Sequence, residues 1–169
     1  MEQQWPKVRL IPECHADTAL VRFLSGGFPN IDHESGIGSV VKNFTDVKDH
    51  SYQLVGIVDN DKRKPPYLDD FQEIKSASGV SLRKKPDVEH YVILLKPAIE
   101  RFLLNKAQSV GISLADFNLP MELKPLIKKT KKPQIQQNTD YLNLLAELKS
   151  RQASGVVALD SMLEMFLNP

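Results

Sequence analysis

Residues 52–61, Tyr-Gln-Leu-Val-Gly-Ile-Val-Asp-Asn-Asp, carry an apolar run straight into two carboxylates, Asp59 and Asp61. Side chains two apart in an extended chain point the same way, so both acids leave one face of the strand end together. Leu54, Val55, Ile57 and Val58 are apolar on both faces, as suits a strand of a parallel sheet covered on both sides. Open α/β sheets place their ligands at the carboxyl ends of such strands. Two carboxylates held in a dry crevice repel one another, and a hard cation such as Mg2+ relieves that cost. More acids lie upstream: Glu13 follows a short apolar run over 7–12, and Asp17 comes four residues later. If the strands over 7–12 and 53–58 are neighbours, Glu13, Asp17, Asp59 and Asp61 converge on one crevice. Asp-Asn-Asp also makes good turn chemistry, and Asp17 also suits a helix cap; neither role excludes ligation.

The elements that must position these acids alternate. The strand over 7–12 stops at Pro12. Thr18, Ala19, Leu20, Val21, Phe23 and Leu24 have helical spacing, and Gly26-Gly27 ends that helix. A weak second strand is expected over 28–33, then a helix carrying Val40, Val41, Phe44 and Val47. The third strand is 53–58 and the fourth, 90–95, is the most hydrophobic run of the chain. Pro97 starts a helix through Ile99, Phe102, Leu103 and Ala107, closed near Gly111. Between the third and fourth strands, 62–86 reads as a polar span with the basic clusters Lys62-Arg63-Lys64 and Arg83-Lys84-Lys85. Beyond Gly111 no strand is expected, and 113–128 reads as short helical pieces interrupted by Pro120 and Pro125. The run 124–133, with five lysines and two prolines, reads as a linker or surface loop. Two amphipathic helices follow, marked by Tyr141, Leu142, Leu144, Leu145 and Leu148 and by Val156, Val157, Leu159, Met162, Leu163 and Phe166. The expectation is an α/β core over 1–111 with a mainly parallel four-stranded sheet, and a helical C-terminal extension over 112–169 packed on or next to it.

Composition narrows the class only a little. The chain has 169 residues, 41% hydrophobic and 25% charged, as in ordinary globular proteins. Its 22 basic and 21 acidic residues nearly cancel, so only their arrangement bears on a nucleic-acid partner. One cysteine, Cys14, excludes an internal disulfide and fits a reducing compartment. No run approaches the about 18 apolar residues that span a bilayer, and the N-terminal residues lack a signal-peptide pattern; a cytoplasmic location is expected. Zinc is disfavoured by one cysteine and scattered histidines. Ser35-Gly36-Ile37-Gly38-Ser39 opens a helix, so its amides suit a phosphate, but it follows the wrong strand for a dinucleotide fingerprint.

Glu13-Cys14-His15-Ala16-Asp17-Thr18-Ala19-Leu20 resembles the Glu-Gly-x-x-Asp-x-x-Leu motif of Toprim domains, and Val58-Asp59-Asn60-Asp61-Lys62 resembles their Asp-x-Asp motif. Asp-Asn-Asp-Lys and Pro97-Ala98-Ile99-Glu100 are closest to the OLD-family nucleases and small standalone Toprim relatives. The resemblance covers roughly residues 7–105 and implies a Rossmann-like Toprim core with Mg2+ (or Mn2+) bound for phosphodiester chemistry on DNA or RNA. It implies that Glu13 ligates metal or acts as general acid/base, that Asp17, Asp59 and Asp61 hold metal, that Glu100 belongs to the site, and that Lys62 stabilises phosphate charge. The chain departs from the family in carrying Cys14 where the motif has Gly. It also lacks the Asp-x-Asp-x-x-Gly-Glu pattern of topoisomerases, and has no Gly-x-x-x-x-Gly-Lys-Ser/Thr loop, so any ATPase must be a separate protein. The expected function is a metal-dependent nuclease or related phosphotransfer enzyme. The alternative is a catalytically silent Toprim-like module that works by binding a protein partner through its last two helices.

Overall fold

A computed structural model describes residues 4–60 and 63–169. Five strands form one mixed sheet: β1 (Val8–Pro12), β2 (Gln53–Asp59), β3 (Gln72–Ala77), β4 (Val80–Lys84) and β5 (His90–Leu95), in the spatial order β1-β2-β5-β4-β3. β1, β2 and β5 run parallel, with Pro12 opposite Ile57 and Asp59 opposite Leu95. β4 lies antiparallel to β5, and β3 antiparallel to β4. The α/β class is as expected from the sequence, but the mainly parallel four-stranded sheet is not.

Two differences account for the change. The weak strand over 28–33 contributes one parallel bridge, Ile31 to Leu10, along the outer edge of β1. It covers that edge through Leu10 N–H to Asn30 O (2.9 Å) and Asp32 N–H to Leu10 O (2.8 Å). The polar span instead holds the β3–β4 hairpin. Its two loop residues, Ser78 and Gly79, both have positive φ (52° and 83°), the conformation that two-residue hairpin turns need. β3 is an edge strand with almost every side chain in solvent, so it shows no apolar alternation, while β4 buries Val80 and Leu82.

The period-two alternation of the strands feeds two cores. On one face Val8, Leu10, Val55, Ile57, Leu82, Ile93 and Leu95 pack against α1 (His15–Leu24) and α3 (Ile99–Ser109). On the other, Ile11, Leu54, Val58, Val92 and Leu94 pack against Val40, Val41 and Phe44 of α2 (Ile37–Thr45) and against Leu68 and Phe71. β2 and β5 are thereby covered on both sides, as their unbroken apolar sequences require.

The run 124–133 corrects a second expectation. It is not a linker: α4 spans Leu123–Thr130. Pro125 falls in the first turn, where its missing N–H has no intrahelical acceptor to lose. The last two helices, α5 (Thr139–Ser150) and α6 (Ser154–Leu167), lie where the apolar spacing puts them, and bury Tyr141, Leu144, Leu145, Leu148, Val156, Leu159, Met162, Leu163 and Phe166. Those side chains join the cluster formed by the sheet face, α1 and α3. Val157, by contrast, is exposed. Among the described residues no helix is long and apolar enough to cross a membrane.

α6 approaches α3 closely at Gly155, where a Cβ would lie 2.6 Å from Cε2 of the fully buried Phe102. Gly155→Ala is therefore expected to cost about 1–3 kcal/mol by overpacking. Urea unfolding followed by far-UV circular dichroism and by Trp5 fluorescence should show both signals shifting together. Loss of helix signal with an unmoved Trp5 transition would contradict a shared core.

Candidate metal centre

β1 and β2 end side by side, and the residues that follow them are acidic. Glu13 N–H donates to Ile57 O (3.0 Å), continuing the parallel ladder one step past Pro12. This sets the Glu13 side chain beside the end of β2, where its Oε1 accepts from the Asp59 N–H at 2.7 Å. Asp59 Oδ1 in turn accepts from the Ile99 N–H (3.0 Å), the first amide of α3. The α3 cap residue, Ala98, has no side chain to do this, so Asp59 caps a helix from across the sheet.

Asp17 comes from α1. The cap of that helix is Cys14, not Asp17: Cys14 Sγ accepts from the Asp17 N–H (3.4 Å) and donates its proton to Asp17 Oδ2 (2.9 Å). Cys14 has φ −145° and ψ 169°, extended backbone open to any residue, so the position makes no demand for glycine. Burial, then the charges of Asp17 and Asp59, push the thiol well above its usual range. Cys14 is thus a neutral donor here rather than a nucleophile.

Ligand oxygens of Glu13, Asp17 and Asp59 all lie within 4.8 Å of one another, and the three residues are 2%, 0% and 6% exposed. Burial, followed by the Asp59 charge, holds the Asp17 carboxyl well above the ordinary carboxylate range; the Cys14 hydrogen bond opposes this, and Glu13 and Glu100 add to it. Asp17 Oδ1 is buried and has no hydrogen-bond partner among the described residues. Two helix N-termini, those of α1 and α3, abut the cluster and offset part of its repulsion.

Glu100 is buried in the first turn of α3 beside this group, not among the mutually close oxygens. Its Oε1 accepts from Thr130 Oγ1 of α4 at 2.7 Å. Asp61 and Lys62 lie outside the described residues. Asn60 closes the described end of β2, its N–H donating to Leu95 O (3.0 Å).

A cleft of about 350 Å³ opens on Glu13 and Cys14 and is further walled by His15, His33, Ser35 and Lys131. The two histidine rings stack, with centroids 4.0 Å apart and planes at 20°. His33 Nδ1 bonds Thr18 Oγ1 (3.0 Å), and His15 Nδ1 accepts from Gln136 Nε2 (2.7 Å). Burial and the nearby His33 keep His15 below its ordinary pKa. Lys131 and Thr130 reach the site from a run that reads as a linker, so no sequence signal marks them. Most described members of the basic runs 62–64, 83–85 and 124–132 do not line the acidic cleft. Lys84 and Lys85 pair with Glu89 (3.8 Å) and Asp70 (2.7 Å), at the end of the sheet away from the acids. Lys64 is held below its usual pKa by burial and by the charges of Arg83 and Lys96. Among the described residues, Lys131 is the one lysine of these runs that lines the acidic cleft.

Comparison with protein-family models, with curated proteins and with solved structures finds no significant match. The geometry therefore carries the functional reading.

The raised Asp17 pKa gives the metal-free protein a definite pH dependence. Above the ordinary value of 3.8 the unfolded chain releases the proton that the folded state keeps. Stability then falls as pH rises toward the folded pKa, and the contribution is full only below the unfolded one. Urea midpoints measured in EDTA from about pH 4 to about pH 8 should decline with pH, and less steeply in Asp17→Asn. Identical slopes in the two proteins would contradict the assignment.

Proposed function

We propose that the chain is a divalent-metal-dependent nuclease, or a related phosphodiester phosphotransfer enzyme, acting on DNA or RNA. One observation carries the reading: Glu13 just past β1, Asp17 in the first turn of α1 and Asp59 at the end of β2 bring carboxylate oxygens within 4.8 Å of one another in a buried notch. The donor set fits Mg2+ or Mn2+. All donors are hard carboxylate oxygens, and Asp17 Oδ1 is a buried acceptor with no hydrogen-bond partner among the described residues. Glu13, Asp17 and Asp59 would hold the ion. Such an ion supplies charge neutralisation at a phosphoryl group and lowers the pKa of a water.

The chain's own groups supply the rest. Glu13 faces both the notch and the cleft, which suits it to accept a proton from an attacking water. The Asp59 N–H and the Ile99 N–H fix Glu13 and Asp59 in place. Lys131 sets a positive charge in the same cleft, where a phosphate would sit. The Toprim-like motifs support the same reading, since Glu13, Asp17 and Asp59 are the motif acids.

Two observations favour this reading over the silent-module alternative. Cys14 leaves the carboxylates together and bonds to one of them. The apolar stripes of α5 and α6 are largely buried within this chain.

Purified protein incubated with plasmid DNA or structured RNA should cleave one of them with Mg2+ or Mn2+ and not in EDTA. Asp59→Ala should lower the rate by at least about 100-fold, beyond the usual cost of losing a group that only supports a metal ligand. Cleavage that survives EDTA or the substitution would contradict the proposal. So would the absence of cleavage together with the absence of Mn2+ binding.

A further inference from the structure

The cleavage site needs a means of holding a polyanion, and the acids themselves repel one. We infer that the end of α4 and the turn after it form the surface that grips a nucleic-acid backbone, with Lys128, Lys129 and Lys132 leading to Lys131 at the acidic cleft. The assignment deepens the proposed function and rests on it for the cleft at which the track ends.

Lys128, Lys129 and Lys132 line a groove of about 340 Å³ together with Pro125, Ile135 and the neutral polar side chains of Gln134 and Asn138, and among the described residues no carboxylate lines it. Lys131, between them in sequence, lines the cleft of Glu13. Among the described residues none of these four lysines has a carboxylate within 4.0 Å, whereas Lys42, Lys84, Lys85 and Lys149 each do. Lys128, Lys131 and Lys132 are exposed; Lys129 is tethered to Asn118 O at 3.3 Å. Four cations on consecutive turns of chain repel one another, and a row of phosphates offsets that.

The ridge is also fixed with respect to the acids. Thr130, 1% exposed, lies between Lys129 and Lys131 and donates to Glu100. Gln136, after the ridge, holds His15 beside the cleft. On this inference a strand held in the groove passes to the cleft through Lys131, which lines the cleft and lies next to Lys132 of the groove. Among the described residues no aromatic side chain lines the groove, so the grip is on phosphates, without base stacking, and is sequence-independent and salt-dependent.

The test is fluorescence anisotropy with labelled single-stranded DNA, single-stranded RNA and duplex DNA of about 20 nucleotides, in EDTA, from about 50 to about 300 mM KCl. Lys128→Ala/Lys132→Ala should weaken binding and reduce the slope of log affinity against log salt by about 1.4–1.8, or 0.7–0.9 per lysine. The control Lys42→Ala/Lys48→Ala, with both lysines exposed and lining neither the groove nor the cleft, should leave affinity and slope unchanged. Wild-type affinity and slope in the ridge variant would overturn the inference; so would stronger binding of the ridge to phosphatidylserine vesicles than to any of the three nucleic acids. The two proposals separate cleanly. If the ridge variant binds nucleic acid normally while cleavage still requires Asp59 and metal, the ridge is wrong and the metal site stands. If ridge substitutions abolish binding but Mn2+ binds no acid, the metal site is wrong and the ridge stands.

Discussion

Carboxylates crowded out of water are the constraint around which this fold is arranged. Unit charges about 5 Å apart repel by about 3–4 kcal/mol at an effective dielectric constant of about 20. Three such pairs approach the about 5–15 kcal/mol that stabilises a whole domain. Glu13, Asp17 and Asp59 therefore cannot all be ionised in the notch without help, and the fold supplies some. The Asp59 amide donates to Glu13, the α3 amide of Ile99 donates to Asp59, and the Cys14 thiol donates to Asp17. Burial, followed by the repulsion from Asp59, keeps the proton on Asp17 above the ordinary carboxylate range. A divalent cation meets the repulsion without that proton.

The rest of the structure positions the notch. Parallel pairing of β1 with β2 places Glu13 beside Asp59, and the two cores hold that sheet from both faces. The C-terminal helices do more than extend the hydrophobic cluster. Tyr141, fully buried, donates its hydroxyl to Ala16 O (3.0 Å) in the first turn of α1, between Cys14 and Asp17 in the motif. Thr130 holds Glu100 and Gln136 holds His15. Three separate segments of the last third of the chain thus each fasten a residue next to the acids, so the C-terminal region is part of the architecture of the site.

How much of this was legible in the sequence follows from where the signals lie. Glu13 and Asp59 could be found because each sits at or just past an apolar strand, and Asp17 because it follows Glu13 at a spacing that resembles a known motif. The parallel strands and the last two helices announce themselves by apolar period. The β3–β4 hairpin does not: an edge strand in solvent needs no apolar alternation, and only Ser78-Gly79 marked the turn. α4 was legible only as a helical fragment, because its lysines read as a loop and Pro125 reads as a helix breaker except in a first turn. Lys131 and Thr130 carry no local mark at all, since their role depends on packing against residues far away in sequence. Asp59 as the cap of α3 is likewise a tertiary contact that stands in for a missing local one.

The most direct measurement is anomalous diffraction from crystals soaked in Mn2+. The account predicts a manganese peak in the notch with oxygens of Glu13, Asp17 and Asp59 about 2 Å from it. A map with no peak there at saturating Mn2+, or with ions only at surface carboxylates while these three remain hydrogen-bonded among themselves, would contradict it.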